Sequence, residues 1–173
     1  MSRYDRPERT EKEVSIALAG NPNVGKSTVF NALTGMNQHT GNWTGKTVST
    51  ARGKCLRVGG NIVLTDLPGT YSLMAHSAEE QVARDFIAYG GSEGVIVVCD
   101  ASCLERNLNL ALQVMEITPH TMICVNLLDE AAKKKISVDL GKLEEILGVP
   151  VCGVIARNDT GLDEMLARVG EMC

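Results

Sequence analysis

Eight consecutive residues, Gly20-Asn21-Pro22-Asn23-Val24-Gly25-Lys26-Ser27, fit the pattern G-x-x-x-x-G-K-[ST] of a phosphate-cradling loop. The apolar run Val14–Ala19 precedes it and Thr28, Val29, Phe30 and Leu33 follow it, so the pattern lies between a predicted strand and a predicted helix. Glycines at 20 and 25 let the backbone curl round an anion while the new helix points its positive end inward. Residues 21–28 are therefore the expected phosphate-contacting run. Lys26 would reach the β- and γ-phosphates, and the Ser27 hydroxyl would hold Mg²⁺. An ordinary glycine turn before a helix is the plain alternative, disfavoured by the strand–turn–helix context.

Four further pieces fall at predicted strand ends. Asp66, before Leu67-Pro68-Gly69, is placed to hold Mg²⁺ through water, with the Gly69 N–H free for a γ-phosphate oxygen. Thr47 could give the second hydroxyl on Mg²⁺. Asn126-Leu127-Leu128-Asp129 reads N-x-x-D, and the Asp129 carboxylate can accept from both N1–H and the 2-amino group of guanine, donors that adenine lacks there. Ile155-Ala156-Arg157 lies where a backbone N–H could meet the guanine O6. Singly each piece has an ordinary turn or strand reading; their joint order does not.

These pieces need a scaffold, and the chain supplies a regular one. Apolar runs at 14–19, 48–58, 61–65, 94–99, 121–125 and 151–155 predict six strands, with helices after the loop, from about Ser77 to Tyr89, from Leu104 to Met115, after Asp139, and after Thr160. Leu140, Leu143, Ile146 and Leu147 mark the face of the fourth helix, and Thr160 with Asp163 resembles a capping box for the fifth. Gly59-Gly60 predicts a hairpin between the second and third strands. Met36 to Thr47 shows neither helical nor strand period and reads as a mobile loop. The fold class is α/β: a mostly parallel six-stranded sheet with one antiparallel hairpin strand and helices on both faces, binding its ligand at the strands' carboxyl ends.

At 173 residues and 44% hydrophobic content, one compact domain over 14–173 is expected, preceded by a charged flexible tail over 1–13. Aromatic residues make up only 3%, so the core is aliphatic, and a net charge of −4 without a basic stripe excludes nucleic acid as the main partner. The six cysteines form no C-x-x-C pair and read as reduced core thiols of a cytosolic domain; zinc at Cys99 and Cys103 lacks the tight ligand pairs it would need. The longest apolar stretch, Gly94–Cys99, is far shorter than the ~20 residues of a membrane helix.

The order of motifs resembles the small GTPase fold, a P-loop GTPase. Gly20-Asn21-Pro22-Asn23, Gly41-Asn42-Trp43 and above all Asp66-Leu67-Pro68-Gly69-Thr70-Tyr71-Ser72-Leu73 resemble the G domain of the ferrous iron transporter B (FeoB) family, from about Val14 onward. The resemblance implies a slow GTPase that acts as a nucleotide switch on Fe(II) uptake. It implies GTP and GDP as ligands, and a helical spacer and transmembrane region as partners in a longer bacterial inner-membrane protein; a homo-oligomer fits as well. Three departures from small GTPases stand out. Leu127 replaces the N-K-x-D lysine, Thr70 replaces the water-positioning Gln after Gly69, and Lys46 stands where an apolar residue is expected. Transition-state charge then needs another cation. The sequence places no arginine there, and K⁺ could stand in, held by the Asn23 side-chain carbonyl and backbone carbonyls around Gly41 and Trp43, as the resemblance supports. A guanine-nucleotide sensor without useful turnover is the alternative, and a ribosome-associated GTPase is disfavoured by the lack of a basic face.

Overall fold

The computed structural model describes residues 12–36, 39–42, 45–57 and 61–172. Among the described residues, seven strands form one sheet in the order β2-β3-β4-β1-β5-β6-β7. They are β1 (Val14–Gly20), β2 (His39–Asn42), β3 (Ser49–Lys54), β4 (Ile62–Asp66), β5 (Gly94–Asp100), β6 (Thr121–Asn126) and β7 (Val151–Gly153). β4, β1, β5, β6 and β7 run parallel, whereas β3 pairs antiparallel with both β2 and β4. The sheet therefore has seven strands where six are expected. The added strand is β2, inside the segment read as a loop. All four of its residues are exposed, so no apolar alternation marks it, and its pairing with β3 alone gives it strand form.

The helices are α1 (Lys26–Thr34), α2 (Ala78–Tyr89), α3 (Leu104–Ile117), α4 (Leu128–Lys133), α5 (Leu140–Leu147), α6 (Leu162–Ala167) and α7 (Val169–Met172). Alternation along the strands sorts the core into two layers. Ile16, Leu18, Leu64, Ile96, Val98, Met122 and Cys124 meet α1, α6 and α7; Ala17, Ala19, Val95, Val97, Cys99, Ile123 and Val125 meet α2, α3 and the partly buried face of α5. Both faces of the central strands are thus covered, which is why they read as unbroken apolar runs.

Local signals set most helix ends. The Ser77 hydroxyl accepts from Glu80 N at 3.1 Å, Asp139 caps α5 through Lys142 N, and Gly35 and Gly148 end α1 and α5 in the left-handed region. The capping box at Thr160 does not form. Gly161 is the N-cap of α6 at φ 80, and the Thr160 hydroxyl donates to Asn158 Oδ1 at 2.6 Å, because Thr160 also bridges to Ile155. Ile146 is 69% exposed and lies off the partly buried face that Leu140, Leu143 and Leu147 form on α5. Val58, Gly59, Gly60, Trp43 and the tail over 1–11 lie outside the described residues. β3 and β4 are antiparallel neighbours as the hairpin reading requires.

Candidate functional site

β1 is the point where the sheet changes direction of growth, with β4 on one side and β5 on the other. A crevice opens beyond its carboxyl end, the place where such sheets bind ligands. Asn21, Pro22, Asn23, Gly25, Lys26, Ser27 and Gly69 line a cleft there of about 410 Å³. Gly25 sits at φ 81 and Asn23 at φ 66, left-handed conformations that bend the loop sharply. α1 has no acidic residue in its first turn and no side-chain cap, so its positive end faces the cleft uncompensated. A larger cavity of about 520 Å³ lies at the far edge around Arg52, Lys54 and Leu56. It holds none of the motif residues, so the candidate site is the cleft at the loop.

Lys26, in the lining of the cleft, is largely buried. Its ammonium donates to the Asp66 carboxylate and to Leu67 O, the latter at 2.6 Å. The pair joins α1 to the end of β4. Ser27 and Thr28 are exposed at the start of α1. Gly69 lies over Pro22, where a Cβ would come 3.3 Å from the proline Cα and N, and Thr70 N donates to Gly20 O at 3.1 Å. The segment after Asp66 is thereby laid on the phosphate loop. Thr70 is buried, 5% exposed.

Asn126 binds three loops together. Its Nδ2 donates to Val24 O at 3.1 Å and its Oδ1 accepts from Ala156 N at 3.1 Å. A Cβ on Gly25 would run into Asn126 Nδ2, so glycine is required there by space as well as by φ. Leu127, at φ 62, turns the chain so that Asp129 falls in the first turn of α4. One Asp129 oxygen, Oδ2, pairs with the Arg157 guanidinium, while Oδ1 is buried without a hydrogen-bond partner. Arg157 also donates to Glu130 Oε1 at 3.2 Å, and Lys133 first, then Arg157, hold the Glu130 carboxyl below its ordinary value.

Thr47 is exposed and does not line the cleft, and Gly41 stands in β2 opposite Thr50. Lys46, which has no account in the sequence, donates to Gln81 Oε1 and so ties the segment before Thr47 to α2. Two contacts lie beyond sequence reasoning because they join distant segments. The Arg106 guanidinium sits 4.6 Å from the centre of the Tyr71 ring, and both line a second, smaller cleft behind Asn21–Val24. The Leu73 N–H donates to Gln113 Oε1 at 2.7 Å, fixing the same segment on α3.

The family model for ferrous iron transport protein B matches residues 14–169. The chain belongs to the ferrous iron transport protein B family. The Fe(2+) transporter FeoB of Salmonella typhimurium is 40% identical over 158 residues, 89% of this chain and 20% of that transporter; the Escherichia coli K12 protein gives the same figures. The chain thus spans about a fifth of the length of these FeoB relatives. Among solved structures, the G domain of the T. maritima FeoB iron transporter matches with a TM-score of 0.86 and 39% identity, covering 92% of this chain and 98% of that one. A mutant of S. thermophilus NFeoB bound to mGDP matches with a TM-score of 0.89 and 37% identity, over 93% and 62% of the two chains. The fold is that of the FeoB G domain. Among the described residues no helix is long and apolar enough to cross a membrane.

Proposed function

We propose that this chain is the guanine-nucleotide-binding and GTP-hydrolysing unit of a ferrous iron transporter, a cytoplasmic switch that regulates Fe(II) passage through a membrane region elsewhere in the longer protein. The observation that carries this reading is the Asn126 clamp. It joins the phosphate loop to the turn at Ala156, beside Asp129 in the first turn of α4, whose Oδ1 is buried without a hydrogen-bond partner. The two ends of one ligand are then fixed relative to each other: phosphates at Gly25, Lys26 and Ser27, and a base with adjacent N–H donors at Asp129. Ala156 N is taken by Asn126. A donor to the guanine O6 from this turn would therefore come from a neighbouring backbone N–H such as that of Arg157.

In the mechanism we infer, the N–H groups of residues 23–28 bind and orient the phosphate chain. Lys26 leaves the Asp66 carboxylate for the β- and γ-phosphate oxygens, an exchange of one anionic partner for another that keeps the ammonium paired throughout. Asp66, Ser27 and Thr47 are hard oxygen donors of the kind Mg²⁺ takes, and they would hold it, Asp66 through water. Held there, Mg²⁺ would supply charge neutralisation to the phosphates. Thr47 must travel to reach the cleft, so the segment before it is the part that responds to the γ-phosphate, and the Gly69 N–H faces the same oxygen. Asn23, with backbone carbonyls near Gly41 and Trp43, would hold an activating K⁺. In the base pocket Asp129 discriminates guanine from adenine, each charge-assisted bond being worth roughly 1.5–3 kcal/mol.

Replacing Asp129 by Asn tests this reading. The amide accepts from N1–H but donates to a 2-oxo group, so GTP affinity should fall and xanthosine triphosphate affinity rise, and an unchanged ratio removes Asp129 from the base pocket.

A second reading, a sensor that binds nucleotide without useful turnover, draws support from Thr70. Its backbone is held on Gly20 O and its side chain is buried, so no side chain at the position after Gly69 is offered to a water. Single-turnover phosphate release in K⁺ and in Na⁺ at equal ionic strength separates the two. Faster release in K⁺, lost in Asn23→Ala with GDP affinity kept, supports the enzyme; no release in either salt supports the sensor.

A further inference from the structure

Arg157 occupies the carboxylate that the base would need. The fork of N–H groups on a guanidinium matches the two oxygens of a carboxylate, and the N1–H and 2-amino edge of guanine presents a similar pair of parallel donors. Arg157 reaches Asp129 because the Asn126–Ala156 bond seats the 156–158 turn directly beside the first turn of α4. Its second contact, to Glu130 Oε1 at 3.2 Å, holds the guanidinium on that side. The two Asp129 oxygens are thereby unequal: Oδ2 is satisfied from within the chain, and Oδ1 is buried and unpaired.

We propose that Arg157 sets the base specificity of this site by competing with the guanine 2-amino group for Asp129 Oδ2. This rests on the base-pocket reading of Asp129 and adds to it. A purine whose N1–H meets Oδ1 can bind while Arg157 stays in place. Hypoxanthine, which has N1–H and no 2-amino group, loses nothing by this. Guanine must either leave its 2-amino group without the carboxylate or displace Arg157 and forfeit that ion pair. Either way its advantage over hypoxanthine is reduced by the arginine, and removing the arginine should restore it. The side chain of Arg157 is 54% exposed on a short turn, so its loss opens no cavity in the core.

The test is calorimetric titration of GDP and of inosine diphosphate into the wild-type chain, Arg157→Met and Arg157→Lys. Methionine keeps the apolar stem without charge; lysine keeps the charge without the fork. The expected result is a rise of roughly tenfold or more in the preference for GDP over inosine diphosphate in Arg157→Met, the size of one charge-assisted bond, with Arg157→Lys between it and wild type. Thermal melting of Arg157→Met matching wild type shows that the ratio is read on folded protein, as the exposed position of the side chain requires. An unchanged or lower ratio in Arg157→Met overturns the proposal. Asp129→Ala assigns the failure: if it weakens GDP while the Arg157→Met ratio stays flat, only the competition is wrong; if it leaves GDP binding intact, the base pocket falls with it.

Discussion

At the level of single residues, the site is held by groups that pair with one another before any ligand is considered. Lys26 shows this most directly. Its ammonium joins Asp66 and Leu67 O in a buried contact, with side-chain exposures of 9% and 16% for the two charged partners. Lys26→Ala should therefore have two effects. Losing a charge-assisted phosphate contact should weaken GTP binding by about tenfold or more. Leaving the Asp66 carboxylate without its partner should also lower the stability of the ligand-free chain by about 1–3 kcal/mol. Fluorescent-nucleotide titration and urea denaturation check the two halves separately. Lower affinity with unchanged stability would mean that water replaces the lysine at Asp66 without loss.

At the level of elements, the segment after Asp66 is anchored at several points, and α2 carries one of them. The Glu80 carboxylate accepts from His76 N at 3.0 Å and from the Ser72 hydroxyl at 3.1 Å, while Glu80 N donates to the Ser77 hydroxyl. Ser77→Ala removes the cap and should cost about 1 kcal/mol, read as a lowered denaturation midpoint with an unchanged slope. Ser77 was legible as the start of α2 because its chemistry is local, as were Asp139 at the start of α5 and the strand-end placement of Asp66 and Asn126. What escaped the sequence has a common physical reason. β2 exists through pairing and not through pattern, and Gly161 displaced Thr160 from the cap because a bridge to Ile155 decides the backbone there. A Cβ on Gly161 would collide with Gly153 O, so that glycine answers to a tertiary contact no local rule contains. In the site, the motif residues were visible from spacing, but the partners Lys26–Asp66, Arg157–Asp129 and Lys46–Gln81 join residues far apart in the chain.

At the level of the molecule, an ion-pair cluster fastens α5, β7 and the end of α6 to one another. Glu144 on α5 accepts from both Arg168 terminal nitrogens, at 2.8 and 2.9 Å, and from Val151 N of β7 at 2.8 Å. The Arg168 hydrogen bonds first, and the Val151 N–H second, hold the Glu144 carboxyl below its ordinary value of 4.5. A carboxyl depressed in the folded chain contributes stability that is fully present above its unfolded pKa and is lost as pH falls through the folded one. Thermal unfolding should therefore show a loss of stability as the pH drops below about 4.5, and Glu144→Gln should flatten that part of the profile. An identical acid limb in wild type and variant would show that the cluster contributes nothing to the pH dependence.

The Asn126 clamp has a consequence for how the chain becomes competent as it is made. Val24, Asn126 and Ala156 meet at one point although 102 residues separate the first pair and 30 the second. The phosphate loop leaves the ribosome before β6, whose Asn126 amide braces it, and that amide is in turn held by the later turn at Ala156. Domains fold as units while synthesis proceeds from the N-terminus. Nascent chains that stop before Ala156 should therefore carry Gly20–Ser27 complete and still bind nucleotide poorly, so that GTP binding begins only when β7 and the turn after it have emerged.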